Sequence, residues 1–126
     1  MSNPTFLICE TCGNLIGMIE CSECTPSCCG KPMVELKANV TDAAQEKHVP
    51  VVEVSGDKCK ITIGADAHPM TEEHQIVWVY LKTEKGGQRK TLKAGEQPSV
   101  VFSVVDDKPL AAYAYCNLHG LWMAEI

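Results

Sequence analysis

The sequence has no long apolar run, no basic stripe and no secretory leader, and each of these absences excludes a class of protein. No apolar run approaches the ~20 residues that a membrane-spanning helix needs, so a membrane is not an expected partner. The first five residues lack the basic and apolar regions of a secretory signal, which makes a cytoplasmic protein the expectation. The 11 basic residues are outnumbered by 16 acidic ones, giving a formal net charge of −5, so nucleic acid is not an expected partner either.

Eight cysteines are unevenly placed along the 126 residues of the chain. Residues 1–36 hold six of them and no histidine, whereas residues 37–126 hold the other two and all four histidines. Without a secretory signal, such cysteines are expected to be metal ligands or redox thiols rather than disulfides. The sequence therefore predicts two domains, a small cysteine-rich metal domain at 1–36 and a larger domain at 37–126.

The larger domain is predicted to be β structure with little helix. Short apolar and β-branched runs are separated by turn residues at a regular rhythm, with a turn or brief helix expected at 41–47. About seven strands at this spacing indicate a β-sandwich of the immunoglobulin-like kind. The expected strands are 51–54, 59–63, 76–81, 88–92, 100–105, 111–115 and 122–126.

The spacing of the first six cysteines leaves open which four of them share a metal. Cys9-Glu10-Thr11-Cys12 is a CxxC knuckle, whose short loop directs both sulfurs at one ion. The adjacent Cys28-Cys29 supplies a second pair, and a region this short needs a metal for much of its stability. Another CxxC pair intervenes at Cys21-Ser22-Glu23-Cys24. It can complete a compressed zinc ribbon with the first knuckle, or form a dithiol able to close a disulfide.

The second set of candidate ligands combines all four histidines with one cysteine. Neutral imidazole suits iron, copper, zinc and nickel, and a thiolate adds a soft, electron-rich donor. A lone histidine is usually a surface or hydrogen-bonded residue, but the two-residue gap between the last cysteine and the last histidine lets both reach one ion. Five protein ligands leave one octahedral position for a small molecule. The pattern predicts a single iron site at His48, His68, His74, Cys116 and His119.

The motifs around these ligands resemble those of the desulfoferrodoxins, the two-iron superoxide reductases, over essentially the whole chain. Each motif alone is of weak to moderate specificity, but five in the right order at compatible spacing are highly specific. They are Cys9-x-x-Cys12-Gly-Asn, Cys28-Cys29-Gly-x-Pro-Met, Asp42-Ala43-Ala44-x-Glu46-Lys47-His48-Val49-Pro50-Val51, His68-Pro69-Met70 with His74, and Cys116-Asn-x-His119-Gly-x-Trp122.

The resemblance implies the chemistry of both metal sites. The activity would be one-electron reduction of superoxide to hydrogen peroxide without oxygen production. In an immunoglobulin-like sandwich, the catalytic Fe2+/Fe3+ ion would have an axial thiolate from Cys116 and four equatorial imidazoles, from His48, His68, His74 and His119. In a desulforedoxin-like first domain, a distorted tetrahedral iron, or zinc in its place, would be held by Cys9, Cys12, Cys28 and Cys29. Cys21 and Cys24 depart from the family pattern.

The resemblance also implies roles around the catalytic iron. The ammonium of Lys47 is expected to attract superoxide and to orient a proton-delivering water. Glu46 is expected to serve as an oxygen ligand once the iron is oxidised. A rubredoxin-like electron donor and a homodimer are further expectations.

Two other functions are weighed against this one. Superoxide dismutation would need the ferric site to oxidise superoxide as well, which a thiolate donor disfavours because it stabilises Fe(III). A non-catalytic iron electron-transfer protein is the alternative from a different class. Among the remaining residues, Cys59 is expected to be a small core residue. Tyr115 and Trp122 flank the Cys116 loop and are expected to shield its thiolate.

Overall fold

The computed structural model describes residues 4–126, and its chain divides into two compact units between Lys37 and Ala38. Both units are built mainly of strands, and the mainly-β fold class predicted from the sequence is confirmed. Among the described residues, no helix is long and apolar enough to cross a membrane.

The first unit consists of short strands around a small apolar cluster. Its strands are β1 (Thr5–Ile8), β2 (Leu15–Met18), β3 (Ser27–Cys28), β4 (Lys31–Pro32) and β5 (Val34–Glu35). They form a three-stranded sheet in the order β2-β1-β5 and a separate β3-β4 ladder. Leu7, Cys9 and Met33 are its buried cluster. A cluster this small buries little apolar surface to offset the entropy of ordering the unit.

The second unit begins with a one-turn helix and continues with seven strands. They are α1 (Gln45–His48), β6 (Pro50–Ser55), β7 (Lys58–Ile63), β8 (Ile76–Thr83), β9 (Gly86–Thr91), β10 (Ser99–Ser103), β11 (Pro109–Cys116) and β12 (Gly120–Glu125). All pairings are antiparallel, in a three-stranded sheet of order β10-β7-β6 and a four-stranded sheet of order β12-β11-β8-β9.

The core of the second unit lies between these two sheets. In β7, Cys59, Ile61 and Ile63 are fully buried while the residues between them are more exposed, as the two-residue period of a strand requires. One buried cluster joins these side chains to Val79 and Ala114 of the four-stranded sheet. The second unit is therefore a β-sandwich, and the expectation that Cys59 is a core residue agrees with its complete burial.

The observed strands end within two residues of the expected ones. Runs 100–105 and 111–115 are separated by turn residues, but the strands that they form do not pair with each other. In the structure β10 pairs with β7, whereas β11 pairs with β8 and β12, so the intervening loop crosses from one sheet to the other. Alternating burial indicates that a strand has one buried face without indicating which strand it pairs with.

Candidate metal centres

Four cysteine sulfurs of the first unit converge on one point. The sulfurs of Cys9, Cys12, Cys28 and Cys29 all lie within 4.8 Å of one another. The Sγ atoms of Cys12 and Cys28 are 3.6 Å apart, and the backbone N–H of Cys12 donates to Cys9 Sγ at 3.5 Å. Four thiolates this close together can surround one ion, and iron and zinc both accept a donor set of four thiolates.

Two different tight turns bring the cysteine pairs to this point. The first closes where Gly13 N–H donates to Cys9 O at 2.8 Å, and Gly13 has a φ of +84°, which glycine adopts readily. The second is the two-residue turn between β3 and β4, where Cys29 and Gly30 have φ values of +54° and +75°. Positive φ at both central positions is typical of a type I′ turn. This turn lets the neighbouring cysteines Cys28 and Cys29 reach the same cluster.

Neighbouring groups shift the pKa values of three of these cysteines. The backbone N–H of Cys12 lowers the pKa of Cys9 to about 6. The side chain of Cys12 raises the pKa of Cys28, and it raises the pKa of Cys29 to about 12. Backbone donors therefore stabilise the thiolate of Cys9, while Cys28 and Cys29 keep their protons until a cation balances further negative charge. A coordinated metal deprotonates such thiols outright.

The intervening CxxC pair lies outside this cluster. Cys21 and Cys24 are exposed, in the loop 19–26 between β2 and β3. Within residues 4–126 they belong to no group of three or more side chains that could hold a metal. The zinc-ribbon alternative, in which they join Cys9 and Cys12, is therefore not the arrangement that the structure brings together.

Four imidazole rings of the second unit stand at the corners of a near-square. Successive centroids, from His48 to His68, His74, His119 and back to His48, are 4.7, 4.7, 5.0 and 4.9 Å apart. The interplanar angles of these four pairs lie between 76° and 87°. The diagonal pair His48–His74 is 6.3 Å apart and tilted by only 31°. Rings arranged in this way can each direct one nitrogen at a common centre.

Hydrogen bonds determine which nitrogen of His48 and of His68 is available to bind a metal. Nδ1 of His48 lies 2.6 Å from Ala44 O, and Nδ1 of His68 lies 2.7 Å from Pro69 O. Both rings thus keep Nε2 for the centre, where Nε2 of His48 lies 3.1 Å from Nδ1 of His119. A carbonyl bonded to the outer nitrogen is the usual way in which a metal-binding histidine is oriented.

Two of the inward nitrogens show that the site fits a metal. Nε2 of His68 and Nε2 of His74 are buried and have no hydrogen-bond partner. A buried nitrogen left without a partner is costly, and a bound iron would satisfy both. Burial lowers the pKa of His68 to about 4 and also lowers the pKa of His74, so both rings are neutral near pH 7 and offer lone pairs.

Cys116 supplies a fifth donor from the side of the core. Its side chain is fully buried and is part of the apolar cluster between the sheets. Its sulfur lies within 4.8 Å of the ligand nitrogens of His48, His68 and His74, and 3.9 Å from Nδ1 of His119. The structure thus brings together all five residues that the sequence proposes for this site.

Glu46 and Lys47 lie on α1, directly before the first histidine, and both side chains are exposed. The turn is supported by its neighbours, since Asp66 N–H donates to Glu46 O at 2.9 Å. Gly64 packs so closely that a Cβ there would lie 2.6 Å from Lys47 O. Burial is the main cause of the lowered pKa of His74, and the charge of Lys47 adds to it. The Lys47 ammonium therefore lies within electrostatic reach of the site.

Two comparisons with known sequences agree on the family of this chain. A model of the desulfoferrodoxin family matches residues 40–125. The chain is 42% identical over 117 residues to the desulfoferrodoxin of Nitratidesulfovibrio vulgaris, covering 93% of this chain and 92% of that protein. The chain belongs to the desulfoferrodoxin family.

Solved structures similar to this desulfoferrodoxin include two superoxide reductases. The superoxide reductase from Treponema pallidum has a TM-score of 0.83 and 41% identity, and the match covers 98% of this chain and 99% of that one. The superoxide reductase (1Fe-SOR) from Giardia intestinalis has a TM-score of 0.56 and 36% identity, covering 64% of this desulfoferrodoxin and 97% of the Giardia chain.

Trp122 supports two of the histidines in this desulfoferrodoxin. Its ring is stacked on that of His48, with centroids 4.8 Å apart and an interplanar angle of 27°. Its Nε1 donates a hydrogen bond to the carbonyl oxygen of His119 at 3.1 Å. The sequence suggests that Trp122 shields the Cys116 thiolate. In the structure, the contacts of Trp122 are with His48 and His119, two of the candidate metal ligands. The other proposed shield, Tyr115, stacks on Trp78.

Asn117 joins the cysteine loop to the loop that carries His74, a role that the sequence analysis does not foresee. Its Oδ1 accepts from Gln75 N at 2.9 Å, and its Nδ2 donates to Glu73 O at 3.0 Å. Its backbone N–H donates to Gln75 O at 3.2 Å. The only sequence signal for this role is the position of Asn117 beside Cys116.

Removing the Asn117 side chain is expected to weaken metal binding at the histidine site. Asn117→Ala removes both side-chain bonds that hold the His74 loop, and losing such outer contacts costs about 10- to 100-fold in metal affinity. Competition between the protein and a chromophoric chelator for Fe2+ measures the change. Asn39→Ala is the control, because Asn39 makes two similar bonds to the backbone of Met123. Equal affinities in the two variants would contradict a specific role for Asn117.

Proposed function

We propose that this desulfoferrodoxin is a superoxide reductase, which converts superoxide, one electron and two protons into hydrogen peroxide without releasing oxygen. The observation that carries the proposal is the near-square of four histidine rings with one buried thiol beside it. Iron held by these residues would have four nitrogen donors and one sulfur donor, with room for a small substrate. It would supply the electron that the reduction of superoxide needs.

The surroundings of Cys116 suit a strongly donating thiolate. The side chain is excluded from water by the core cluster, so bulk solvent does not screen its negative charge. A thiolate opposite a reactive position donates electron density toward it, as in some haem enzymes. The neutral imidazole of His68 adds no positive charge that would oppose this donation.

Lys47 and Glu46 provide exposed charged groups directly before the ligand His48. Superoxide is an anion, and a local ammonium raises its concentration near the site even though the chain is acidic overall. Lys47 also orients a water molecule that delivers a proton to the departing product. Glu46 would supply a carboxylate oxygen as a ligand once the iron is oxidised.

Lys47→Ala is expected to slow the reaction with superoxide by about tenfold, the lower end of the range for electrostatic steering. The rate constant should also become less sensitive to ionic strength, because the attracting charge is gone. Stopped-flow or pulse-radiolysis kinetics across a salt series measures both effects. Lys60→Ala removes the same charge from an exposed position on β7 and should leave the rate unchanged. Identical salt dependences for wild type and Lys47→Ala would remove the proposed role of Lys47.

The yield of peroxide tests the function as a whole. Iron-loaded, pre-reduced protein is supplied with excess reductant, without catalase, and peroxide and oxygen are measured per superoxide consumed. A reductase yields one peroxide per superoxide and no oxygen. Half that yield, with oxygen released, would identify a dismutase. No acceleration over buffer with iron in the histidine site would favour the electron-transfer alternative.

Several finer properties are part of this proposal. The four-cysteine site takes iron, or zinc in its place, and 1–36 is a metal domain distinct from the catalytic domain at 37–126. The electron donor is a rubredoxin-like protein, and the working form is a cytoplasmic homodimer. The cysteine-rich composition of the first 36 residues supports the metal domain, and the donor and the homodimer follow from the family to which the chain belongs.

A further inference from the structure

We propose that Cys21 and Cys24 form a redox-active dithiol that hydrogen peroxide oxidises to a disulfide. Both residues lie in loop 19–26, where residues 19 to 25 are all exposed. They are free thiols with two residues between them. Neither metal cluster uses them, so both are available for chemistry of their own.

The arrangement favours a dithiol over a further metal site. A tetrahedral metal needs four ligands, and the CxxC pair supplies two. Glu20 and Glu23 flank the pair in sequence, but among residues 4–126 no group of three or more ligand side chains includes these cysteines. Two thiols without a third ligand, separated by the spacing of thiol–disulfide oxidoreductases, are suited to close on each other.

Local structure suits a bond that forms and breaks. The backbone N–H of Cys24 donates to Ser22 Oγ at 3.2 Å, so the segment between the thiols is already turned. A disulfide across so short a loop removes little chain entropy, so it adds little stability to the fold. Because it would also be exposed, it belongs to the easily reduced class of disulfides.

The reaction is balanced with the product of the proposed activity as oxidant. One thiol loses its proton, its thiolate attacks hydrogen peroxide, and the O–O bond breaks to give a sulfenic acid and hydroxide, which takes up the released proton and becomes water. The second thiol attacks the sulfenic sulfur, which forms the S–S bond and releases a second water. A dithiol of the thioredoxin class then reduces the disulfide by exchange. Only the source of the peroxide rests on the proposed function.

The positions of glutamate give a direct test in the full-length, metal-loaded protein. The protein is treated with added hydrogen peroxide, remaining thiols are alkylated after denaturation, and the chain is cut after glutamate. Cleavage after Glu20 and Glu23 separates the tripeptide Cys21-Ser22-Glu23 from fragment 24–35 unless a disulfide joins them. We expect the two peptides to remain joined, with a mass two hydrogens below the sum of their separate masses. Fragmentation in the mass spectrometer should place the disulfide at Cys24.

Variants and reversal separate this result from its alternatives. Cys24→Ser should release the tripeptide, Cys59→Ser should still give the joined species, and dithiothreitol should restore two alkylatable thiols. Alkylated Cys21 and Cys24 after peroxide treatment would overturn the proposal, as would a bond to Cys28 or Cys29. The proposal would also be overturned if zinc protected both thiols from alkylation in protein that had not been treated with peroxide. Added peroxide makes the test independent of superoxide reduction, so failure of one proposal does not imply failure of the other.

Discussion

Cys116→Ser is expected to abolish superoxide reduction while leaving a folded protein. The change removes the single sulfur donor from a set that otherwise consists of four imidazoles. Altering an outer contact of a metal site costs up to about 100-fold in activity, so loss of a ligand should exceed 100-fold. Stopped-flow measurement of superoxide decay, with iron content determined for each sample, gives the ratio directly.

Cys59→Ser provides a closely matched control for this experiment. Cys59 and Cys116 are both fully buried and belong to the same apolar cluster, so each serine places a hydroxyl in the same core. Both variants should lose stability by a similar amount, but Cys59→Ser should keep its iron and its rate. If the two variants lost activity equally, burial of the hydroxyl rather than loss of the thiolate would be responsible.

Cys12→Ser is expected to unfold the first unit and leave the second intact. Cys12 is exposed, so the substitution removes little packing and isolates the effect on the metal. The buried cluster of the unit is small, and metal binding in domains of this size is coupled to folding. Hydrogen exchange followed by mass spectrometry should show full loss of amide protection in β1, β2 and β5, with unchanged protection in β7 and β11.

Cys21→Ser is the matched control in the first unit. It replaces another exposed CxxC cysteine, one that lies outside the four-sulfur group. Protection of the first unit should survive this change, and metal content should equal that of wild type. Loss of the metal in Cys21→Ser would instead favour the zinc-ribbon set with Cys9 and Cys12, and would contradict the arrangement of sulfurs in the structure.

The histidine site could be predicted from the sequence because its ligands have no plausible competitors. Four histidines are present in all, and Cys116 has His119 three residues later in a tight turn. The strands were predictable for a similar reason, since alternating apolar residues and turn signals are local properties. The pairing of β10 could not be predicted in this way, because its partner depends on which faces meet in the folded core.

The cysteine site could not be settled from spacing because two CxxC pairs are locally equivalent. The structure distinguishes them through a turn, since positive φ at both Cys29 and Gly30 brings the adjacent cysteines to the first knuckle. The roles of Asn117 and Trp122 were equally hidden. Their side chains form hydrogen bonds to backbone atoms, and the ring of Trp122 also stacks on His48. Any residue can supply a backbone partner, so a single sequence does not indicate such a bond.

The two ligand sets differ in how much of the chain must be synthesised before each can close. The cysteine ligands lie between residues 9 and 29, whereas the ligands of the histidine site extend from 48 to 119. Since the N-terminal part of a chain emerges from the ribosome first, the cysteine set is available early in translation. The histidine set must wait for residue 119 and for both sheets to pair across long loops. The protein should therefore take up its thiolate-bound metal while it is being made and its catalytic iron only afterwards. A cell short of iron at that later stage would accumulate folded but inactive chains.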